Sequence, residues 1–109
     1  MVREPFRRGR LEPATAAPAS GERFEPLAEL PSVVVEQILS GRLVEQPSFE
    51  QGHDEWVLVV EGGARLLVEG EEIELERGDW LLLPAGCRHT VLETRPGTSW
   101  VAVHVHSTA

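Results

Sequence analysis

The chain has 109 residues, the length of one domain with a single hydrophobic core. Its charge is uneven: residues 1–21 carry four arginines and two acids, whereas residues 22–109 carry six arginines and sixteen acids. A folded part with this excess of acids repels phosphate backbones and anionic lipid surfaces. We therefore expect neither nucleic acid nor a membrane as a partner.

The sequence also bears on the compartment. The N-terminal arginines are followed by no apolar segment of the kind a secretory signal needs. The sequence contains no run of 18 or more apolar residues, which is the length needed to span a membrane. Cys87 is the one cysteine, so an internal disulfide bond cannot form. These features favour a cytoplasmic protein.

The first part of the chain is unlike the rest. Its segment EPATAAPASGE is rich in proline, alanine and serine and has no periodic apolar face to bury. We expect residues 1–22 to form a flexible arm and residues 23–109 to form the folded domain.

The next segments predict strands. The stretch from Phe24 to Leu30 is either a helical turn or an edge strand, ended by Pro31. After it, VVVEQILSGRLVEQ is β-branched and aliphatic, which favours one long strand or two strands with a bend at Ser40-Gly41. The apolar run WVLVV then predicts a short buried strand that ends at the double glycine Gly62-Gly63.

The remaining sequence alternates strands and turns. Turns at Gly70 and Gly78 separate three short strands, and RHTVLE and SWVAVHVH give the last two. At least seven short strands with glycine and proline turns, and no convincing helix, predict an all-β sandwich or barrel.

The segment GDWLLLPAGCRHTVLE resembles the second conserved motif of the cupin superfamily. Gly78, Pro84, Gly86 and His89 fall on the motif in register, and Glu93 stands where the motif has asparagine. In physical terms, Gly78 turns the chain, Pro84 ends strand pairing, and Gly86 permits the reversal after which His89 begins the next strand.

The first cupin motif is only partly present. With Gly62 as its anchor, the motif glutamate falls on Glu55, and its two histidine positions hold Phe49 and Gln51. The resemblance covers about residues 30 to 106. It implies a double-stranded β-helix (jelly-roll barrel), often dimeric, with a site inside the barrel that usually holds a metal ion.

Five residues are candidate metal ligands. His89 is the ligand that the motif supports directly, and His104 shares a strand face with Trp100, so it projects toward His89 if that face is interior. The others lie near the missing histidines. The candidate set is His89, His104, His53, Gln51 and Glu55. Such mixed nitrogen and oxygen ligands suit a divalent transition metal: zinc, iron, nickel or manganese.

Each candidate also has a structural interpretation, as an imidazole or carboxylate that is hydrogen-bonded to its neighbours. Three hypotheses about function therefore stay open. The first is a metal-dependent protein that binds or transforms a small molecule by oxygenation, isomerisation or lyase chemistry. The second is a metal-free barrel that binds a small ligand or acts as a regulatory module. The third is a structural dimer.

Other residues favour packing roles. Cys87 precedes His89 closely but lacks any visible group to activate it as a nucleophile, which indicates a space-filling loop residue. The three tryptophans, Trp56, Trp80 and Trp100, favour core packing. We expect a homodimer in which the outward valines of the last strand and the strand from Val33 to Leu39 supply much of the interface.

Overall fold

The computed structural model describes residues 5–43, 46 and 48–106. In this part of the chain, one short 3-10 turn, Ala14–Ala16, precedes nine strands. The strands are β1 (Glu22–Leu30), β2 (Val33–Ser40), β3 (Phe49–Glu50), β4 (Asp54–Glu61), β5 (Gly63–Val68), β6 (Glu71–Glu76), β7 (Trp80–Leu83), β8 (Arg88–Thr94) and β9 (Thr98–Val105).

Two antiparallel sheets form the barrel. The five-stranded sheet has the order β1-β2-β9-β4-β7, and the four-stranded sheet has the order β3-β8-β5-β6. The prediction of an all-β double-stranded β-helix is confirmed. In the described residues no helix is long and apolar enough to cross a membrane.

The core lies between the two sheets. Because side chains alternate along a strand, each strand sends every second residue inward. The buried core cluster is Val57, Val59, Leu66, Leu75, Trp100 and Ala102. On β9 the inward residues are therefore those that share a face with Trp100, which is the face that carries His104.

The structure decides what the segments on either side of Pro31 form. The segment from Phe24 to Leu30 is part of edge strand β1, not a helical turn. The apolar stretch after Pro31 gives β2, which ends at Ser40, the predicted bend. Residues 44 and 45, in the second half of that predicted strand, lie outside the described residues.

The N-terminal arm contacts the outer side of the five-stranded sheet. The Gln37 side chain accepts a hydrogen bond from the Glu12 backbone N–H at 2.9 Å and donates one to the Glu12 carbonyl at 2.9 Å. Gly41 lies so close that a Cβ atom there would stand 2.0 Å from the Pro18 carbonyl oxygen. The flexibility of residues 1–22 and the boundary at residue 23 stay predictions.

The turn between β4 and β5 requires glycine. Gly62 has a φ of +83°, and a Cβ atom at this position would lie 2.5 Å from Oγ1 and 2.8 Å from Cα of Thr98. Thr98 cannot move away cheaply, because its hydroxyl is held by the backbone around it. It donates to the Arg95 carbonyl at 2.7 Å and accepts from the Gly63 N–H at 3.2 Å. Both backbone conformation and space therefore exclude a side chain here.

We expect Gly62→Ala to lower the free energy of unfolding by about 2–5 kcal/mol, since left-handed strain and overlap with Thr98 add. Gly70→Ala is the matched control, because Gly70 has a φ of +82° and nothing within 4 Å of a built Cβ. It should cost about 1–2 kcal/mol. Urea unfolding measures both, and equal losses would contradict the overlap.

Candidate functional site

Glu55 and His104 meet inside the five-stranded sheet. They stand directly opposite each other in the pairing of β4 with β9, on the face that carries Trp100. Glu55 is 7 % exposed, and its Oε2 lies 3.9 Å from Nε2 of His104. The sheet thus holds a carboxylate and an imidazole side by side at one end of the core.

His89 approaches from the other sheet. It lies on β8, its backbone pairs with that of Phe49 on β3, and its residue surface is only 8 % exposed. Its Nδ1 is 3.1 Å from the Cys87 carbonyl oxygen, which can only accept a hydrogen bond. Nδ1 is therefore the protonated nitrogen, and Nε2 carries a lone pair. The side chain of Phe49, in a histidine position of the first motif, lies outside the described residues.

Gln51 joins the two sheets. Its Nε2 donates to Oε1 of Glu55 at 2.7 Å and lies 3.3 Å from Nε2 of His89. The amide NH2 group thus faces a carboxylate and an imidazole lone pair, both acceptors, which fixes the orientation of the amide. The amide nitrogen, and not the oxygen expected of a metal ligand, points at these two side chains.

Beside this group runs a second chain of contacts. Nε2 of His104 is 2.9 Å from Oε1 of Glu36. Because a carboxylate only accepts, this nitrogen carries a proton and donates it in a hydrogen bond to Glu36. Nδ1 of a neutral His104 then accepts from Nε2 of His53, 2.9 Å away. The result is an imidazole–imidazole–carboxylate relay in which both ring nitrogens of His104 are engaged. We call His53, His104 and Glu36 the relay.

The five predicted site residues are therefore connected through contacts, from His89 through Gln51 and Glu55 to His104 and His53. Glu55 and His89 are buried, whereas the other members are partly exposed. The polar group is therefore in contact with solvent through its partly exposed members Gln51, His53 and His104.

The surroundings of His53 favour its neutral form. The pKa of His53 is lowered, first by burial and then by the neighbouring His106 and His104, with Glu55 and Asp54 acting in the opposite direction. The ring of His106 lies beside that of His53, tilted by 37°, with the centroids 4.4 Å apart. A neutral His53 keeps the lone pair and proton arrangement that the relay requires.

Two carboxylates were missed by the sequence analysis. Glu36 belongs to the relay, and its signal is available in the sequence: it is the one acid within the apolar strand VVVEQILS. Glu22 accepts a hydrogen bond from the Ser40 hydroxyl at 2.9 Å. Burial of its carboxyl raises the Glu22 pKa, the Ser40 bond lowers it, and the charges of Glu36 and Glu55 raise it further.

The donors do not form a metal centre as they stand. Within the described part of the chain, no three His, Cys, Asp or Glu side chains are grouped so that they could hold a metal ion. The physical reason is that the donors are used by each other: both nitrogens of His104 and one oxygen of Glu55 are in hydrogen bonds. The metal site stays a prediction.

Cys87 has the environment of a loop residue. Burial and the charge of Glu69 raise the pKa of its thiol, so the reactive thiolate is disfavoured at neutral pH. Its carbonyl oxygen orients the ring of His89. Cys87 thus contributes to the site through its backbone.

Comparison with known proteins identifies the family of this chain. A family model described as "Cupin domain" matches residues 34–106. The sequence matches no curated protein significantly. Among solved structures, a "putative mannose-6-phosphate isomerase" from Ralstonia eutropha JMP134 is 33% identical, with 91% of this chain and 100% of that chain covered and a TM-score of 0.73.

Two more distant structures share the fold. KdgF from Halomonas sp. is 20% identical, with 80% of this chain and 82% of that chain covered and a TM-score of 0.73. A cupin superfamily protein from Desulfitobacterium hafniense DCB-2 is 17% identical, with 95% and 97% covered and a TM-score of 0.74.

Proposed function

Since the chain belongs to the cupin family, in which one barrel carries many different activities, we propose its function from the site itself: it binds a small, neutral, hydroxyl-rich molecule in the barrel. The observation that carries this proposal is the contact of Gln51 with both Glu55 and His89. It assembles a donor and two acceptors from two sheets around one interior point.

The chemistry of these groups selects the ligand class. The carboxylates of Glu36 and Glu55 and the Nε2 lone pair of His89 are hydrogen-bond acceptors, and Gln51 supplies amide donors. In the described part of the chain, the side chains that contact Glu36, Glu55 and His104 include no arginine. Such a site favours the O–H donors of a sugar or polyol and disfavours a phosphate group, which only accepts and is negatively charged.

The free-energy cost of burying these polar side chains in the barrel supports a functional role for them. Buried polar groups stabilise a core less well than apolar side chains of similar size. A barrel needed only as a scaffold could fill this end with aliphatic residues, as its core already does around Trp100 and Ala102. Local departures of this kind are typical of functional sites.

The relay extends the proposal to proton exchange. A ligand carbonyl beside Glu55 would lie next to the Nε2–H group of His104. When Nε2 gives its proton to the ligand, Nδ1 of His104 takes the proton from Nε2 of His53, and the partly exposed His53 takes up a proton from solvent on its other nitrogen. Isomerisation of a sugar needs such a transfer between neighbouring carbons. The relative from Ralstonia eutropha is named a "putative mannose-6-phosphate isomerase". Because the present site disfavours a phosphate group, isomerisation of the neutral sugar is the first reaction to assay.

Ligand binding can be tested by thermal denaturation of the full chain with neutral monosaccharides, sugar alcohols and their phosphate esters. We expect at least one neutral compound to raise Tm by several degrees at 100 times its Kd, and its phosphate ester to raise it less. Glu55→Gln should abolish the shift, because the main acceptor loses its charge.

The control for this experiment is Glu93→Gln, since Glu93 is exposed and pairs with Arg65 on the outside. It should respond to the ligand as the unaltered chain does. The proposal would be refuted if no neutral compound raised the Tm of the unaltered chain, or if the Tm of Glu55→Gln rose as much as that of the unaltered chain.

The role of a metal is tested in the same system. Because the donors contact one another and not a common centre, we expect chain treated with a chelator to bind the ligand with unchanged affinity. Elemental analysis of untagged protein gives the comparison. A stoichiometric transition metal that is lost in His89→Ala, together with ligand binding, would instead establish the metal-dependent hypothesis.

A further inference from the structure

A cleft separates the N-terminal arm from edge strand β1. Its volume is about 500 Å³, which lies in the range of small-molecule sites. One wall is the arm from residue 7 to residue 12, and the other is the stretch of β1 from Glu25 to Ala28. Gln37 also lines the cleft, and its side chain points away from the barrel interior. The cleft, which we call the arm cleft, is therefore separate from the polar site around Glu55.

The arm is attached to the sheet at two places. Two hydrogen bonds join the Glu12 backbone to the side chain of Gln37, which is 0 % exposed. Further along the chain, the Arg42 N–H donates to the Ala19 carbonyl at 3.0 Å. Both walls of the arm cleft thus belong to the folded structure.

A β-bulge shapes the β1 wall of the cleft. In the pairing of β1 with β2, Pro26 stands opposite Glu36, whereas Ala28 stands opposite Val35. Leu27 is therefore the extra residue of the bulge and has no opposite residue on β2, and it is 36 % exposed. Bulges redirect side chains and are frequent next to functional sites. Pro26, Leu27 and Ala28 together give this wall an apolar surface.

The arm wall is basic, and its charges are not neutralised. Arg7, Arg8 and Arg10 line the cleft, and within the described residues none of the three forms an ion pair. Most arginines of the folded part differ in this respect, because they pair with a glutamate. The paired arginines are Arg23, Arg65, Arg77, Arg88 and Arg95. In a chain this rich in acids, unpaired guanidinium groups gathered at one cleft favour an anion from outside the chain.

Two glutamates limit the charge that the cleft accepts. Glu12 and Glu25 line it together with the three arginines, and Glu25 is paired with Arg23. The local balance is therefore only moderately positive, which favours one negative charge over two. Repulsion from the acidic barrel is screened, because the Debye length is about 8 Å at physiological ionic strength.

We propose that the arm cleft binds a small organic carboxylate with an apolar body. The guanidinium fork of arginine matches the two oxygens of a carboxylate and can donate to both. The apolar body packs on the wall formed by Pro26, Leu27 and Ala28, where its contact removes hydrocarbon surface from water. A phosphate group carries nearly two charges and meets Glu12 at the same cleft, so it fits less well.

The test is a ¹H–¹⁵N NMR titration of the full chain with benzoate, and benzamide serves as the uncharged analogue of the same shape. We expect benzoate to shift the signals of Gln37, Leu27 and Ala28 with a Kd of about 1 mM or below, while those of Glu55 and His104 stay in place. Benzamide should bind at least about tenfold more weakly, because it lacks the charge that pairs with the arginines. Inorganic phosphate, the third probe, should also bind more weakly than benzoate.

Charge-matched variants test the arginines. The triple variant Arg7→Gln, Arg8→Gln and Arg10→Gln should bind benzoate at least about tenfold more weakly. The control is the triple variant Arg77→Gln, Arg88→Gln and Arg95→Gln, which changes the net charge equally at exposed side chains that do not line the arm cleft. It should bind benzoate as the unaltered chain does.

The apolar wall is tested by Leu27→Ser, which should weaken benzoate binding about threefold and leave phosphate binding unchanged. The proposal is overturned if benzoate at about 20 mM moves no signal of the cleft, or if it moves those of His104 instead. It is also overturned if the two triple variants bind benzoate equally, if Leu27→Ser binds it normally, or if benzamide or phosphate binds as tightly as benzoate.

Discussion

The alternation of side chains along β9 is the constraint on which the rest of the structure depends. This strand lies at the centre of the five-stranded sheet, between β2 and β4. Trp100, Ala102 and His104 point inward from it, and Val101 and Val103 point outward. A shift of the register by one residue would put the imidazole outside and valines inside, and would remove the site.

Inside the barrel, the hydrocarbon core and the polar site are two ends of one space. Trp100 belongs to the core, yet its indole N–H still finds an acceptor, the Ser40 hydroxyl at 3.1 Å. Among the described residues, no buried side-chain nitrogen or oxygen lacks a hydrogen-bond partner. The polar end is therefore compatible with a stable fold because its groups satisfy each other.

The residue at position 51 shows why family membership alone does not define this site. In the first motif, Gln51 stands at a histidine position and uses its amide to join Glu55 to His89. An amide donor is suited to holding a carboxylate and an imidazole together, whereas a third imidazole would offer a lone pair to a metal. The residue type at this position thus decides which contacts the site makes while the fold persists.

Much of the fold was predictable because it rests on periodicity. The glycine and proline turns, the apolar runs and the spacing from Gly78 to His89 gave the strands and placed His89 at the start of β8. The outward position of Trp80 was not predictable, since the run WLLL shows no alternation and burial depends on which neighbour covers it. Contact between the arm and Gln37 was also hidden, because it is made by backbone atoms of Glu12.

The site was predictable in membership but not in connectivity. Motif spacing and strand parity brought Glu55, His89 and His104 into consideration, yet the direction of each proton depends on partners such as Glu36 and the Cys87 carbonyl. Those partners come from distant parts of the chain, and spacing within one motif carries no information about them.

The most direct test of the interior site is therefore the protonation of its rings. A long-range ¹H–¹⁵N NMR spectrum of the histidines near neutral pH distinguishes the two neutral tautomers. The arrangement described here predicts a proton on Nδ1 of His89 and on Nε2 of His104. The opposite tautomers, or averaged signals typical of solvent-exposed imidazoles, would contradict it.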